Sequence, residues 1–349
     1  MKEYSPFLKL KQGEISALIN LLPNDRKLII PLLEPPRDDT YTAEELKRRI
    51  DRNAKRMSKN IEKTFLFYLD NYEISDELQI HGEDNYLYLI DAFKEFDIIP
   101  VIGFDRSETH NLIGINYANN KSGKIAFRIT SDFFDSFLAY EKDLRSIIGK
   151  LNPDISGIVL LDCNYIDDSN TDNCEKSVKK ILKNIFELNL FSKIVISGSS
   201  IPVSMKDKVE SNTDEFIPRN EVNLFRKIVA EYTDVLLIFG DYTVISPGYS
   251  EINVEPELIQ NVMTSKIIYS LLDFHFVCRG GKIKTHGFGQ YFSHAERIIR
   301  ESFFRGSDFS WGDNYLYEKA IHGGKNITPS SIIGPEVNAH IKLMINETL

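Results

Sequence analysis

Ionisable side chains recur at the ends of short apolar runs in this chain: Lys9 and Lys11, Glu34, Asp70, Asp105, Arg128, Asp162, then Ser197 and Ser199, and Asp241 beside Tyr242. If those runs are strands of one parallel sheet, the groups converge at one end of it. Carboxylates brought together perturb one another's pKa, and an arginine among them can hold an anionic group through two parallel hydrogen bonds. The chemistry that fits is acid–base catalysis on a small anionic or nucleotide-like substrate, possible as a hydrolysis. Lys9 and Arg128 hold the anion, Glu34, Asp162 or Asp241 acts as general base or acid, and Tyr242 stacks or donates. The carboxylates admit a divalent cation without requiring one, and no other cofactor is evident.

Each of these residues also has a plainer explanation. Asp and Ser at a strand-to-helix junction are ordinary helix caps and turn formers. That explanation suits Asp70 and Asp105 best, the latter because Arg106-Ser107 follows it. It suits Glu34 less, since Pro35-Pro36 comes next and Glu is a poor cap. Arg128 lies between Phe127 and Ile129 inside an apolar run, so it either meets carboxylates in the sheet's mouth or snorkels outward. In Gly240-Asp241-Tyr242 the glycine permits close backbone approach, although a tight turn accounts for Gly-Asp equally well.

Other signals are weaker. The seven histidines form no HxH or HExxH pattern, and His81, His110, His286, His294 and His322 read as isolated imidazoles. Ser197-Gly198-Ser199-Ser200 could cradle a phosphate or form an ordinary turn. Gly287-Phe288-Gly289 lacks the context of a dinucleotide loop. Arg279-Gly280-Gly281-Lys282 reads as a hairpin turn with basic flanks, where Arg279 could touch an anion. Cys163, Cys174 and Cys278 are odd in number and lack metal-ligand spacing, which argues against a disulfide framework or a structural zinc and for a reducing cytoplasm.

The elements that must position these groups are legible as alternation. Strand candidates cover 4–10, 28–34, 64–70, 98–105, 124–130, 157–162, 193–199, 235–241 and 266–271, mostly Ile, Val, Leu and Phe without strict alternation, as in strands buried on both faces. Helical periodicity fills 13–22, 42–62, 84–96, 131–150, 172–190, 220–232 and 255–263, with 109–120 the weakest. Thr42-Ala43-Glu44-Glu45 is a capping box. In the stretch from Asp172, Val178, Ile181, Leu182 and Ile185 make one apolar face.

Repeated βα units favour an α/β fold closed as a (β/α)8 TIM-barrel-like single domain, with an open doubly wound sheet as the alternative. Nine candidates are one too many. Counting from Tyr4 completes eight at Asp241 and leaves 266–271 with the following apolar run as an added β-hairpin turning around Arg279-Gly280-Gly281. Counting from Leu28 instead makes the N-terminal strand a lid; the first count is preferred. Residues 1–286 then form the barrel. Residues 287–349 form an extension packing on the same domain, one helix near 293–303 followed by an irregular aromatic and glycine-rich tail.

The bulk properties set outer limits. The chain has 349 residues, 42 Lys and Arg against 51 Asp and Glu, for a formal charge of −9, which disfavours general nucleic-acid binding. No uninterrupted apolar run is long enough for a membrane span and the N-terminus has no apolar leader, so a cytoplasmic location without membrane contact is expected. Oligomeric state is not readable.

Several short stretches together resemble the phage beta protein family, of T-even phage type. They are Tyr4-x-Pro6-x-Leu8-Lys9-x-Lys11-x-Gly13-Glu14 with Ala17-Leu18, Pro31-x-x-Glu34, Arg128, Ile201-Pro202 and Gly240-Asp241-Tyr242. To these add Ile268-Tyr269, Arg279-Gly280, Trp311-Gly312-Asp313 and Asn338-Ala339-His340. The resemblance runs from end to end. The chain departs from the pattern where an Arg is favoured before Tyr269 and where a His pair is favoured at Ala339-His340, so roles resting on those groups do not carry over. The resemblance implies a single-domain barrel-like protein of phages and their hosts and no particular activity. It supports interest in Glu34, Arg128, Asp241, Tyr242 and His340 without giving them a role, and Tyr269, Arg279 and His340 join the candidate substrate-binding set. Two functions follow as expectations: a barrel enzyme using the strand-end groups, or a non-catalytic protein of phage–host conflict, defence or counter-defence, that recognises a phage or host protein through its aromatic tail.

Overall fold

Eight of the apolar runs pair side by side, all parallel, into a closed barrel. The computed structural model describes residues 3–188, 191–233, 236–248 and 263–347. The barrel strands are β1 (Tyr4–Lys9), β2 (Leu32–Glu34), β3 (Leu66–Leu69), β4 (Asp97–Ile102), β5 (Lys124–Thr130), β6 (Ser156–Tyr165), β7 (Lys193–Ser199) and β9 (Leu237–Asp241). The last closes the ring by pairing with both β7 and β1. This is the (β/α)8 arrangement counted from Tyr4. The tight barrel places Gly240 where a Cβ would lie 2.7 Å from the Ser5 carbonyl oxygen and 3.0 Å from Val195, so only glycine fits that interior position.

Helices α1 (Gln12–Ile19), α2 (Pro23–Arg26), α3 (Ala43–Asn60), α4 (Asn85–Ala92), α5 (Glu108–Tyr117), α6 (Glu141–Ile148), α7 (Thr171–Leu188) and α8 (Asn220–Glu231) lie in the connections between strands. At the start of α3 the Thr42 hydroxyl accepts from the Glu45 N–H while Glu45 accepts from the Thr42 N–H, the reciprocal cap expected from the sequence. Val178, Ile181, Leu182 and Ile185 of α7 are all buried. The weak 109–120 segment is helical, α5 running into one π turn at Ala118–Ser122. The long helix expected at 131–150 is instead two short 3-10 turns followed by α6. Most of the helix expected at 255–263 lies outside the described residues.

Two expectations about the second half need correction. The hairpin exists, β10 (Thr264–Ser270) against β11 (Phe274–Lys282), but Arg279-Gly280-Gly281 lies within β11. The chain turns earlier, where the Leu271 N–H donates to the Phe274 carbonyl. The hairpin also gains a third antiparallel strand, β8 (Thr213–Pro218), which the sequence reading missed. Nor is the C-terminal extension irregular. After the short α9 (Ile283–His286) it holds α10 (Gln290–Arg300), α11 (Trp311–His322) and α12 (Pro329–Asn346).

Helix α12 returns to the start of the chain. Gly13 has no room for a Cβ, which would lie 2.8 Å from Ile333, and the Asn338 amide donates to the Ala17 carbonyl at 3.0 Å. Lys342 pairs with Asp25 at 2.8 Å. Gly312 in α11 crosses α12 so closely that its N–H reaches the Asn338 side chain. Among the described residues, no helix is long and apolar enough to cross a membrane.

Candidate active site

Alternation along the strands decides which strand-end groups meet. Phe7, Leu32, Tyr68, Ile99, Val101, Ala126, Ile158, Leu160, Val195, Ile238 and Tyr242 pack together inside the barrel. Steps of two from these positions place Lys9, Glu34, Asp70, Arg128, Thr130 and Asp162 on the same inner face, toward the C-terminal strand ends. Their odd neighbours, such as Leu33, Leu69, Phe127 and Leu161, belong to the core between strands and helices. That end is where βα loops carry binding and catalytic groups in this architecture.

Arg128 is the centre of the ionic layer. Its Nη1 donates to Glu34 at 2.8 Å and Asp70 at 2.9 Å; its Nε and Nη2 donate to Asp162 Oδ2 at 3.1 and 2.6 Å; Nη2 also reaches the Tyr242 hydroxyl oxygen at 3.1 Å. Tyr242 donates its hydroxyl to Asp162 Oδ2 at 2.6 Å. Lys9 bridges Glu34 at 2.7 Å and Glu73 at 2.5 Å. Arg106 pairs with Asp70 at 2.9 Å and Asp105 at 2.6 Å. The Arg128 guanidinium also lies 4.5 Å from the centre of the Tyr72 ring and 5.5 Å from that of Phe7.

Three carboxylates thus meet three cations in a deeply buried layer, and the positive charges favour the ionised forms of Glu34 and Asp70. Burial raises Glu34, but Arg128 and Lys9 outweigh it and hold the carboxyl below its ordinary range. Burial likewise opposes the Asp70 charge and is overcome by Arg106 and Arg128. The Tyr242 hydroxyl is pushed well up, by burial first and then by the Asp162 charge, so it stays a donor. Arg128 has five N–H groups and spends them on these acceptors. It therefore acts as the counter-charge that fixes the carboxylates, in place of the anion-holding role expected from the sequence.

A cavity of about 980 Å3 opens above this layer. Asp162, Arg128, Thr130, Tyr242 and Asn164 reach it from the strand ends, and Tyr72, Glu73 and Asp105 from the loops after β3 and β4. Glu34 and Asp70 do not line it; they lie beneath, fully buried. Asp162 is still in register with Ser197 of β7, and β6 bulges just beyond it, where the register shifts between Asp162 and Tyr165. Asn164, in the left-handed region at φ 58°, turns its N–H onto Asp162 Oδ1 at 3.0 Å. Among the described residues Oδ1 bears that one bond and keeps acceptor capacity.

The remaining candidates lie elsewhere. Asp241 is adjacent to Tyr242 and so points to the opposite face of β9. There Tyr4 donates to its Oδ1 at 2.5 Å, Arg219 to Oδ2 at 2.6 Å, and His340 Nε2 lies 2.8 Å from Oδ2. Burial works against this carboxylate, and His340, Arg219 and Tyr4 together hold it below its usual range. His340 Nδ1 meets Ser270 Oγ at 2.7 Å, which in turn meets His275 Nδ1 at 3.0 Å. Burial lowers both imidazoles, which keeps them neutral near pH 7, with His340 donating to Asp241. This network ties the barrel to the appended sheet and α12 and does not line the mouth cavity.

Tyr269 donates to Asp313 at 2.6 Å under the Arg305 guanidinium, and Arg279 binds the Val209 carbonyl; both are fixed in the appended sheet. The Ser197–Ser200 segment is used internally: Ser199 bonds the Ile245 carbonyl at 3.2 Å and Ser200 bonds Glu221 at 2.6 Å. Two residues central to the layer were undervalued or missed. Asp70 is no helix cap, and Arg106, read only as a residue after Asp105, turns back onto it; Ser107 caps α5 instead. Among the described residues no group of three or more His, Cys, Asp or Glu is arranged to hold a metal ion.

Comparison with known proteins adds a family and two distant solved structures. The family model described as Beta protein matches residues 4–346. A catalytic module of a family 98 glycoside hydrolase from Streptococcus pneumoniae TIGR4, solved with the H-disaccharide blood group antigen, is similar at 9% identity and TM-score 0.42. The match covers 70% of this chain and 48% of that one, so the chain spans about half its length. The enoyl reductase domain of MlnA from the macrolactin biosynthesis cluster of Bacillus amyloliquefaciens is similar at 11% identity and TM-score 0.36, covering 98% and 80%. No curated protein matches.

Proposed function

Because the chain belongs to the Beta protein family and its barrel mouth gathers a fixed set of carboxylates under a cavity, we propose that it is a barrel enzyme acting hydrolytically on a small polar substrate. One observation carries this. Of the three carboxylates that Arg128 holds, Asp162 alone lines the cavity, and one of its oxygens retains acceptor capacity. Asp162 is the general base: a water on Oδ1 gives its proton to the carboxylate as its oxygen bonds the substrate's electrophilic centre, the bond to the leaving group breaks, and the proton taken up by Asp162 passes to the departing group. Arg128 and Tyr242 hold the carboxylate in place, and Glu34 and Asp70, expected as catalyst and cap, position Arg128 from below. The test needs no prior substrate. Wild type and Asp162→Asn are incubated with a bacterial small-molecule extract and compared by mass spectrometry, with melting curves as the check on folding. A product formed by wild type alone supports the reading, and identical profiles refute it.

We infer from the family resemblance that this activity serves in phage–host conflict. The binding reading has one observation in its favour: Phe216 and Phe274 are 51% and 43% exposed on the appended sheet, with ring centres 6.0 Å apart. A plaque assay on cells producing the chain separates the two. Loss of the phenotype in Asp162→Asn supports the enzyme; loss only in Phe216→Ser with Phe274→Ser supports partner recognition.

A further inference from the structure

The mouth cavity is rich in carboxylates. In the ionic layer Glu34, Asp70 and Asp162 are matched by Lys9, Arg106 and Arg128. Lining the cavity above them are the carboxylates of Asp38, Asp39, Glu73, Glu77 and Asp105; Glu73 shares Lys9 with Glu34, Asp105 shares Arg106 with Asp70, Asp38 lies 3.8 Å from Arg49, and among the described lining residues Arg37 is the one further cation, so carboxylates still outnumber cations. Arg37 is itself turned onto Asp39 at 2.9 and 3.1 Å. The Arg128 guanidinium, which could have met an anion, has its N–H groups engaged below.

A second observation points the same way. Thr130, two residues beyond Arg128 on the same face of β5, is 5% exposed and lines the cavity, yet its hydroxyl has no partner among the described residues. A buried hydroxyl without a hydrogen bond costs about 1–3 kcal/mol, so a site that leaves one open is completed by its ligand. The Tyr41 hydroxyl on the cavity wall is likewise unpartnered. Each of these hydroxyls can accept from an N–H group as well as donate, and Oδ1 of Asp162 accepts, so the three can together take the N–H groups of a ligand.

We propose that the mouth recognises a small organic cation, a primary amine or guanidine, whose N–H groups are taken by Thr130, Asp162 and the carboxylates around the opening. This rests on the mouth being the working site and names its substrate class. An ammonium or guanidinium matches the excess of carboxylates. An anion would face the carboxylates with no free guanidinium to receive it.

Isothermal titration calorimetry of the full chain with three compounds of one carbon length tests this: putrescine as the dication, 1,4-butanediol as the neutral diol and succinate as the dianion. Putrescine is expected to bind, more weakly at high salt, and the other two not. Thr130→Val, which keeps the shape and removes the hydroxyl, should weaken putrescine about 2- to 10-fold, and Asp162→Asn about 10-fold or more. Absence of putrescine binding, preferential binding of succinate, or an unchanged affinity in Thr130→Val overturns the proposal. The outcomes stay separable from those of the enzyme reading. Product formation lost in Asp162→Asn without putrescine binding keeps the enzyme and removes the cation. Putrescine binding without any product supports the cation site and removes the catalysis.

Discussion

Replacing Arg128 by Met should unbalance the ionic layer in a way that depends on pH. The substitution keeps the length of the side chain and removes the charge from between Glu34, Asp70 and Asp162. Glu34 retains Lys9 and Asp70 retains Arg106, while Asp162 keeps only the Tyr242 hydroxyl and the Asn164 N–H of its described partners. Removing one side of a buried pair typically costs about 3–5 kcal/mol. For 349 residues, an unfolding entropy of about 2.1 cal/mol/K per residue amounts to roughly 0.7 kcal/mol/K, so the melting temperature should fall by about 4–7 °C near neutral pH.

In the wild type, Glu34 and Asp70 sit below their ordinary values. Their contribution is therefore present above the unfolded carboxylate pKa of about 4 and is lost as pH falls through the depressed folded values. In the variant, burial is opposed by less positive charge, both groups move up, and keeping them ionised destabilises the fold as pH rises. The gap between the two proteins should be widest at neutral pH and shrink toward pH 4 to 5. Differential scanning fluorimetry across that range reads it directly. A gap that stays constant with pH, or one smaller than about 1 °C at neutral pH, would show that Arg128 is not the counter-charge of the layer.

Two further substitutions separate the barrel's inner and outer networks. Asp241→Asn leaves Arg219 and His340 facing an amide and should cost about 3 kcal/mol in a denaturant titration, yet putrescine affinity should be unchanged because Asp241 does not line the mouth; altered affinity would contradict the assignment of its face. Gly312→Ala drives a methyl group into the Pro335 carbonyl at the crossing of α11 and α12, and should cost at least about 1–3 kcal/mol by overpacking, read as a lower denaturant midpoint. An unchanged midpoint would mean that the two helices separate at little cost.

The barrel was legible because parallel strands buried on both faces leave unbroken apolar runs, and counting them from Tyr4 selected the eight that close. Strand β8 was not legible. Thr213–Pro218 sits at the edge of a small antiparallel sheet with most of its residues partly or fully exposed, so it carries no such run. Arg279-Gly280-Gly281 reads as a turn by composition, but a Cβ at Gly280 would collide with Ser265, Gln290 and His294, and the glycines serve close packing of β11 instead. Gly334 and Pro335 disguised α12 in the same way. Gly334 lets α12 lie against Gly13, while Pro335 is accommodated in the helix interior. At the site, Glu34, Arg128, Asp162 and Tyr242 were found and do meet. Asp241 was grouped with them because residue type at a strand end does not say which side the residue faces. That depends on alternation counted from Phe7 and Tyr68, a count available in the sequence once the strands are known. Arg106 reaches the layer from a loop, and no pattern in its neighbours predicts that it bends back.

The contacts between α1 and α12 have a consequence for how the protein is made. A ribosome delivers the segment through Arg26 roughly 300 residues before Pro329, an interval of about 15–60 s at usual elongation rates. For about the first 210 of those residues β1 lacks β9 on one edge, and through the whole interval the groove around Gly13 and Ala17 lacks its covering helix. The nascent chain therefore displays an open strand edge until β9 emerges and the uncovered groove until α12 does. Premature termination anywhere before α12 would leave that surface permanently uncovered, marking truncated products for chaperone capture or proteolysis.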